Sequence, residues 1–197
     1  MGQERTDFFE VEVGVRQGCG LSPILFSIYI NILAKELAQS GIGIMVGSAK
    51  IASLLYADDI VLITETAEEL KKGMAIATAW AKRWRCSINQ DKSKVVVFGQ
   101  KQRRIDDWML GGGRIEQVNS YKYLGVDVKG NLKWADMKKR LVNKTRRTMT
   151  KAWAMGVQSG HLSVKAADAI WKVIVRPTAE YGAEIWGEDE WEEMEKI

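Results

Sequence analysis

The chain has 197 residues, 46% hydrophobic and 27% charged, enough for one large or two small domains with a real core. No run reaches the ~18 apolar residues of a membrane span, and the first residues carry no apolar signal segment. Two cysteines, Cys19 and Cys86, and one histidine, His161, exclude a disulfide framework, a four-cysteine zinc site and histidine-based triads. This composition implies an intracellular protein of nucleus or cytoplasm, neither secreted nor membrane-bound. The net charge of +4 is uneven: residues 188–197 hold six acids and one lysine, leaving +9 on the rest. That excess favours a polyanionic partner.

Residues 8–16 alternate, with Phe9, Val11, Val13 and Val15 on one face, which predicts a strand. Gln17-Gly18-Cys19-Gly20 breaks it. Ser22 is then an N-cap and Pro23 a first-turn residue for an amphipathic helix over 23–39, with Gly41 as its C-cap. Residues 43–63 read as short strands, with Asp58 and Asp59 at a hairpin tip. Thr66 and Glu69 form a capping box for a helix over 67–84. Its Trp80 and Trp84 continue the buried stripe, so they read as core rather than as a base-stacking platform. Residues 94–98 read as a buried strand, Gly111-Gly112-Gly113 as the turn of a hairpin within 105–118, and Tyr121 to Val128 as one further strand. Lys129-Gly130-Asn131 marks the expected domain boundary. Beyond it, Trp134, Met137, Leu141, Thr145, Met149 and Ala152 have helical period. Eight basic residues and one acid, Asp136, fall within 133–151. Such a face can track a phosphate backbone; the alternative is a solvated helix surface. Ser163 caps a last helix, 164–175, which stops before Pro177. The acidic residues 188–197 read as a frayed helix.

Tyr56-Ala57-Asp58-Asp59 lies between apolar runs. Two adjacent carboxylates in such a hairpin repel and are expensive to desolvate. A hairpin that only had to turn would use Asn-Gly or Asp-Gly. Hard oxygen ligands at a strand junction suit Mg²⁺, and paired Mg²⁺ ions serve phosphoryl transfer. A solvated turn with two aspartates is the other reading.

Several segments stand in an order that resembles the reverse transcriptases of non-LTR (LINE-like) retrotransposons. Val15-Arg16-Gln17-Gly18-Cys19-Gly20-Leu21-Ser22-Pro23 through Asn31 is similar to that family's motif B, a loop and palm helix. Tyr56 to Asp59 resembles motif C, the catalytic palm hairpin. Asn89-Gln90-Asp91-Lys92-Ser93-Lys94 with Phe98-Gly99 resembles the motif D region. Tyr121 to Val126 resembles the Tyr-Leu-Gly primer-grip strand, and Tyr181-Gly182-Ala183-Glu184-Ile185-Trp186 a segment downstream of the thumb start.

The resemblance implies an α+β fold: a partial polymerase palm, an antiparallel sheet with packed helices, over 1–130, then a small helical thumb over 131–187 and an acidic tail over 188–197. It implies RNA-directed DNA polymerase activity, with an RNA template, a DNA primer and deoxynucleoside triphosphates as partners. Mg²⁺ is the implied cofactor, with Mn²⁺ as a substitute. By resemblance Asp58 and Asp59 are metal-binding catalytic carboxylates and Lys92 assists leaving pyrophosphate. Gln17, Gly18 and Tyr56 line the nucleotide and template site, and Tyr123, Leu124 and Gly125 form the primer grip. Lys138, Lys139, Arg140, Lys144, Arg146, Arg147 and Lys151 hold the nucleic-acid backbone. Two departures qualify this. Gly20 stands where the family has proline. The family's other metal carboxylate precedes motif B on a Phe-x-Asp strand; Asp7, in Thr6-Asp7-Phe8-Phe9, lies after that point. The expectation is therefore a chain truncated upstream of motif B, inactive alone and prone to self-association through an exposed palm edge. The alternative is a non-catalytic nucleic-acid-binding palm–thumb remnant.

Overall fold

The computed structural model describes residues 14, 18–99, 107–157 and 163–187. The predicted strand over 8–16 (Gly14 apart), Gln17, Asp7, His161 and the acidic tail lie outside the described residues. The described residues are mixed α+β, with strands paired in small, mostly antiparallel sets. They fall into two compact units, one within Met1–Ser93 and Asp107–Ile115, the other within Lys94–Asp106 and Glu116–Ile197.

The first unit opens with α1 (Ser22–Gln39). Ser22 is not its N-cap. Cys19 to Leu21 already turn helically, so Leu21 takes the cap position without a side-chain bond and Ser22 becomes the first helical residue. Gly41 ends the helix in the left-handed region, φ +76, as read from the sequence. Two antiparallel hairpins follow, β1 (Ile44–Val46) with β2 (Ala49–Ile51), and β3 (Ser53–Tyr56) with β4 (Asp59–Leu62). Then comes α2 (Ala67–Arg83). Its capping box forms: Thr66 Oγ1 accepts from the Glu69 N–H at 3.1 Å, and Glu69 Oε2 accepts from the Glu65 N–H at 3.2 Å. Leu33, Leu37 and Ile42 join Ala77, Trp80 and Ala81 in the core, with Leu55 and Leu62 of the hairpin against them. Each fully buried leucine adds about 2 kcal/mol. Trp80 is core, as expected. Trp84 is not: it is the C-cap of α2, 40% exposed, with its indole edge on Tyr29.

The Gly-rich hairpin is present, with β6 (Trp108–Leu110) antiparallel to the first half of β7 (Gly113–Val118). Gly111 and Gly112 form its two-residue turn, both left-handed. In the second unit β5 (Lys94–Val96) runs parallel to the second half of β7, so the pairings are not all antiparallel. Val95 is buried, but the strand stops short of the exposed Phe98.

Tyr121 to Val128 is a hairpin rather than one strand. β8 (Ser120–Tyr123) and β9 (Val126–Lys129) pair antiparallel around Leu124 and Gly125. α3 (Ala135–Ala152) follows, burying Met137, Leu141, Val142, Thr145 and Ala152. α4 (Val164–Ile170) starts at Ser163, whose Oγ accepts from the Ala166 N–H at 3.3 Å. Helix does not stop at Pro177. A π turn, Trp171–Val175, precedes α5 (Arg176–Ala179), and the Arg176 N–H bonds back to Trp171. That wider turn makes room for a ring that lacks an N–H. α6 (Ala183–Trp186) closes the unit, with Trp186 packed on Val126, Met137 and Leu141. No helix among the described residues is long and apolar enough to cross a membrane.

Candidate functional site

The register of β3 and β4 pairs Tyr56 with Asp59, so Ala57 and Asp58 alone make the turn. Ala57 is left-handed at φ +50, a conformation costing an ordinary residue about 1 kcal/mol. Because strand residues alternate, Leu55 and Leu62 face the core while Leu54, Tyr56 and Asp59 share the other, open face. Tyr56 is 63% exposed, and both aspartates are exposed. The expected desolvation cost is therefore absent, because the turn lifts both carboxylates into solvent. Among the described residues, no group of three or more acids, cysteines or histidines is placed to hold a metal ion. The pair's hard oxygens fit the chemistry of a divalent cation such as Mg²⁺.

Gly18 is left-handed at φ +78 with nothing within 4 Å of where a Cβ would sit. Cys19 lies at the entry to α1. Its thiol is pulled below its usual range by the Leu21 N–H first, then by the Ser22 hydroxyl and N–H. Lys92 sits exposed in the turn after α2. The Lys92 N–H donates to Asn89 Oδ1 at 3.1 Å and the Ser93 hydroxyl to the Asn89 carbonyl at 2.7 Å. Gln90 anchors that turn by donating to the Gly111 carbonyl at 2.9 Å. The structure thus joins Tyr56, Asp58 and Asp59 on one turn and puts Lys92 on another.

In the second unit, Leu124 and Gly125 are both left-handed, φ +45 and +83. The Tyr181 hydroxyl donates to the Leu124 carbonyl at 2.6 Å, and a Cβ on Gly125 would meet the Tyr181 ring at 2.9 Å. Arg140 Nη2 donates to the Gly125 carbonyl at 2.7 Å and its Nε to Asp127 at 2.6 Å. Tyr123 is half-buried at the end of β8. Beside this hairpin lies a basic cleft of about 580 Å³, lined by Lys122, Asp136, Lys139, Arg140, Asn143, Lys144 and Arg147. Asp136 is paired with Lys129, whose hydrogen bond holds the carboxyl below its usual range. Arg146 and Lys151 are exposed outside the lining, and Lys138 is half-buried on the side of α3 that carries Val142 and Thr145. Sequence reasoning missed Lys122 and Asn143. Reading Leu124-Gly125 as a turn would have put Lys122 on a hairpin.

Residues 1–128 match the family model described as reverse transcriptase (RNA-dependent DNA polymerase). The chain is 30% identical over 184 residues to the RNA-directed DNA polymerase from mobile element jockey of Drosophila funebris, covering 90% of this chain and 20% of that protein. It is 27% identical over 183 residues to the probable RNA-directed DNA polymerase from transposon X-element of Drosophila melanogaster, covering 90% and 19%. A third relative, from transposon BS of the same fly, is 27% identical over 186 residues, covering 90% and 20%. The chain spans about a fifth of the length of these relatives. No solved structure matches it. With nearly two thirds of its length matched and relatives that are polymerases of mobile elements, the chain belongs to the reverse transcriptase (RNA-dependent DNA polymerase) family, among those of non-LTR retrotransposons.

Proposed function

We propose that the chain carries part of the active centre of an RNA-directed DNA polymerase that extends a primer 3′-OH with deoxynucleotides. The observation that carries this is the carboxylate pair on a two-residue hairpin tip, packed on the core through Leu55 and Leu62 and open to solvent. Asp58 and Asp59 would hold the divalent cation, Mg²⁺ or Mn²⁺, which would supply charge stabilisation for phosphoryl transfer. Tyr56, on the face of Asp59, packs beside the primer terminus. Gln17 and Gly18 border the incoming nucleotide and template, Lys92 meets the charge of departing pyrophosphate, and Tyr123, Leu124 and Gly125 support the primer strand. Residues 1–130 act as palm and 131–187 as thumb, with 188–197 an acidic tail. The cleft cations hold the duplex by its phosphates, the sequence-independent contact a general copier needs.

The carboxylate pair supplies one part of a two-metal site, so the 197-residue chain is expected to grip template–primer without extending it. The basic cleft favours the second reading, a non-catalytic remnant that only binds duplex. The apolar stripe of Ile24, Leu25 and Ile28, exposed on α1 beside the cap residue Leu21, supports self-association. Primer extension on poly(rA)·oligo(dT) with Mg²⁺ or Mn²⁺, run beside a gel shift of the same duplex, tests this. A shift without extension is expected. Extension lost in Asp58→Ala would mean a complete metal site and overturn the half-site reading. Absence of any shift would remove the nucleic-acid reading itself.

A further inference from the structure

The β8–β9 register sets Lys122 directly opposite Asp127. Opposite charges in that position ordinarily pair across the strands. Here Asp127 is already taken: it accepts from Arg140 Nε at 2.6 Å, with the two side chains 27% and 35% exposed. The same guanidinium holds the Gly125 carbonyl, and the Tyr181 hydroxyl holds that of Leu124, so both turn carbonyls are tied down. Lys122 makes no ion pair among the described residues and lines the basic cleft with Lys139, Asn143, Lys144 and Arg147. Arg140 borders the same cleft, but its Nε and Nη2 are already committed to two fixed acceptors. Turning it toward a phosphate would leave a half-buried carboxylate unpaired.

We propose that Lys122 is a phosphate-backbone contact of this cleft, and that Arg140 is a positioning residue. By capturing Asp127 and the turn, Arg140 keeps Lys122 available to the nucleic acid. The proposal rests on the reading of the cleft as a duplex site. It separates two cations of one cleft, one contacting phosphate and one acting through a neighbour.

Anisotropy titrations of the full chain with a short RNA–DNA duplex test it, read as the slope of log affinity against log salt. Lys122→Gln should make the slope shallower by about 0.9, one phosphate contact. Arg140→Gln should lose the same amount, because the released Asp127 pairs with Lys122. Adding Asp127→Asn to Arg140→Gln should restore the unsubstituted slope. If the double variant stays as shallow as Arg140→Gln, Arg140 itself contacts phosphate and the proposal is wrong. A wild-type slope in Lys122→Gln also overturns it. Should Arg140→Gln lose its cooperative melt, phenylglyoxal footprinting of the unsubstituted chain decides. Arg147 should react freely and be protected by duplex, whereas Arg140 should react slowly with and without duplex. An Arg140 that reacts freely and is protected by duplex overturns the assignment. If the unsubstituted chain binds duplex with no salt dependence, the cleft reading itself fails, an outcome visible without any variant.

Discussion

The salt dependence of duplex binding distinguishes the cleft from the helix as a whole. Each phosphate neutralised on B-form DNA contributes about −0.9 to the slope of log affinity against log salt. The cleft is lined by four lysines and arginines besides Arg140, which is held by Asp127. Four contacts give a slope near −3.6 and roughly a 150-fold loss of affinity between about 50 and 200 mM salt. If all eight basic residues of 133–151 gripped phosphate, the slope would be near −7 and the loss on the order of 10⁴-fold. Fluorescence anisotropy with a labelled duplex, titrated at four or more salt concentrations, separates these values. A slope near −7 would refute confinement of the contacts to the cleft. A flat response would refute phosphate binding altogether. Lys144→Gln should make the slope shallower by about one, and Lys138→Gln, on the side of Val142 and Thr145, should leave it unchanged.

Gly43, at φ +121, has no room for a side chain: a Cβ would lie 2.5 Å from the Ile51 carbonyl oxygen, which is backbone and cannot move aside. Gly43→Ala should cost about 3 kcal/mol in a urea melt, whereas Gly47→Ala, left-handed but in open space, should cost about 1 kcal/mol; equal losses would refute the close approach. Iodoacetamide should alkylate Cys19 before Cys86, because the Leu21 and Ser22 donors favour the Cys19 thiolate while Cys86 Sγ is held by the Tyr29 hydroxyl at 2.8 Å. The reverse order, read by peptide mass, would contradict this. Burial first, and the Cys86 hydrogen bond second, push the Tyr29 phenol up to about 12 from its usual 10. A raised value favours the neutral phenol in the fold, so its contribution to stability is whole below pH 10 and is lost as pH rises through about 12. Ultraviolet titration should show a late tyrosine step that disappears in Tyr29→Phe; a late step that persists in that variant, or none in the unsubstituted chain, would be inconsistent with the packing.

What sequence could show was local. Thr66 with Glu69, the Gly111-Gly112 turn, Gly41 after α1 and the Ser163 cap each need only neighbours within a few residues, and each formed as read. The tip at Asp58 was legible for the same reason. The Leu124-Gly125 turn was not, because leucine is a poor left-handed residue and the turn is held by Arg140 and Tyr181 from far along the chain. Pro177 stops a regular helix, and only the π turn before it lets the chain continue helically. Trp84 has the spacing of the buried stripe, but α2 ends at Arg83 and leaves it half-exposed. The family was readable from motif order. The division of labour among the cations was not, because Arg140 differs from Lys144 only through Asp127, a partner set by the hairpin register.

The central claim is that Asp58 and Asp59 are a metal-binding half-site. Mn²⁺ titration of the 197-residue chain followed by electron paramagnetic resonance, with template–primer and a deoxynucleoside triphosphate present, tests it most directly. The expected result is weak binding, in the millimolar range, above that of the nucleic acid and nucleotide alone, and lost in Asp58→Ala. Binding that is unaffected by Asp58→Ala, or none beyond the nucleotide's own, would contradict it.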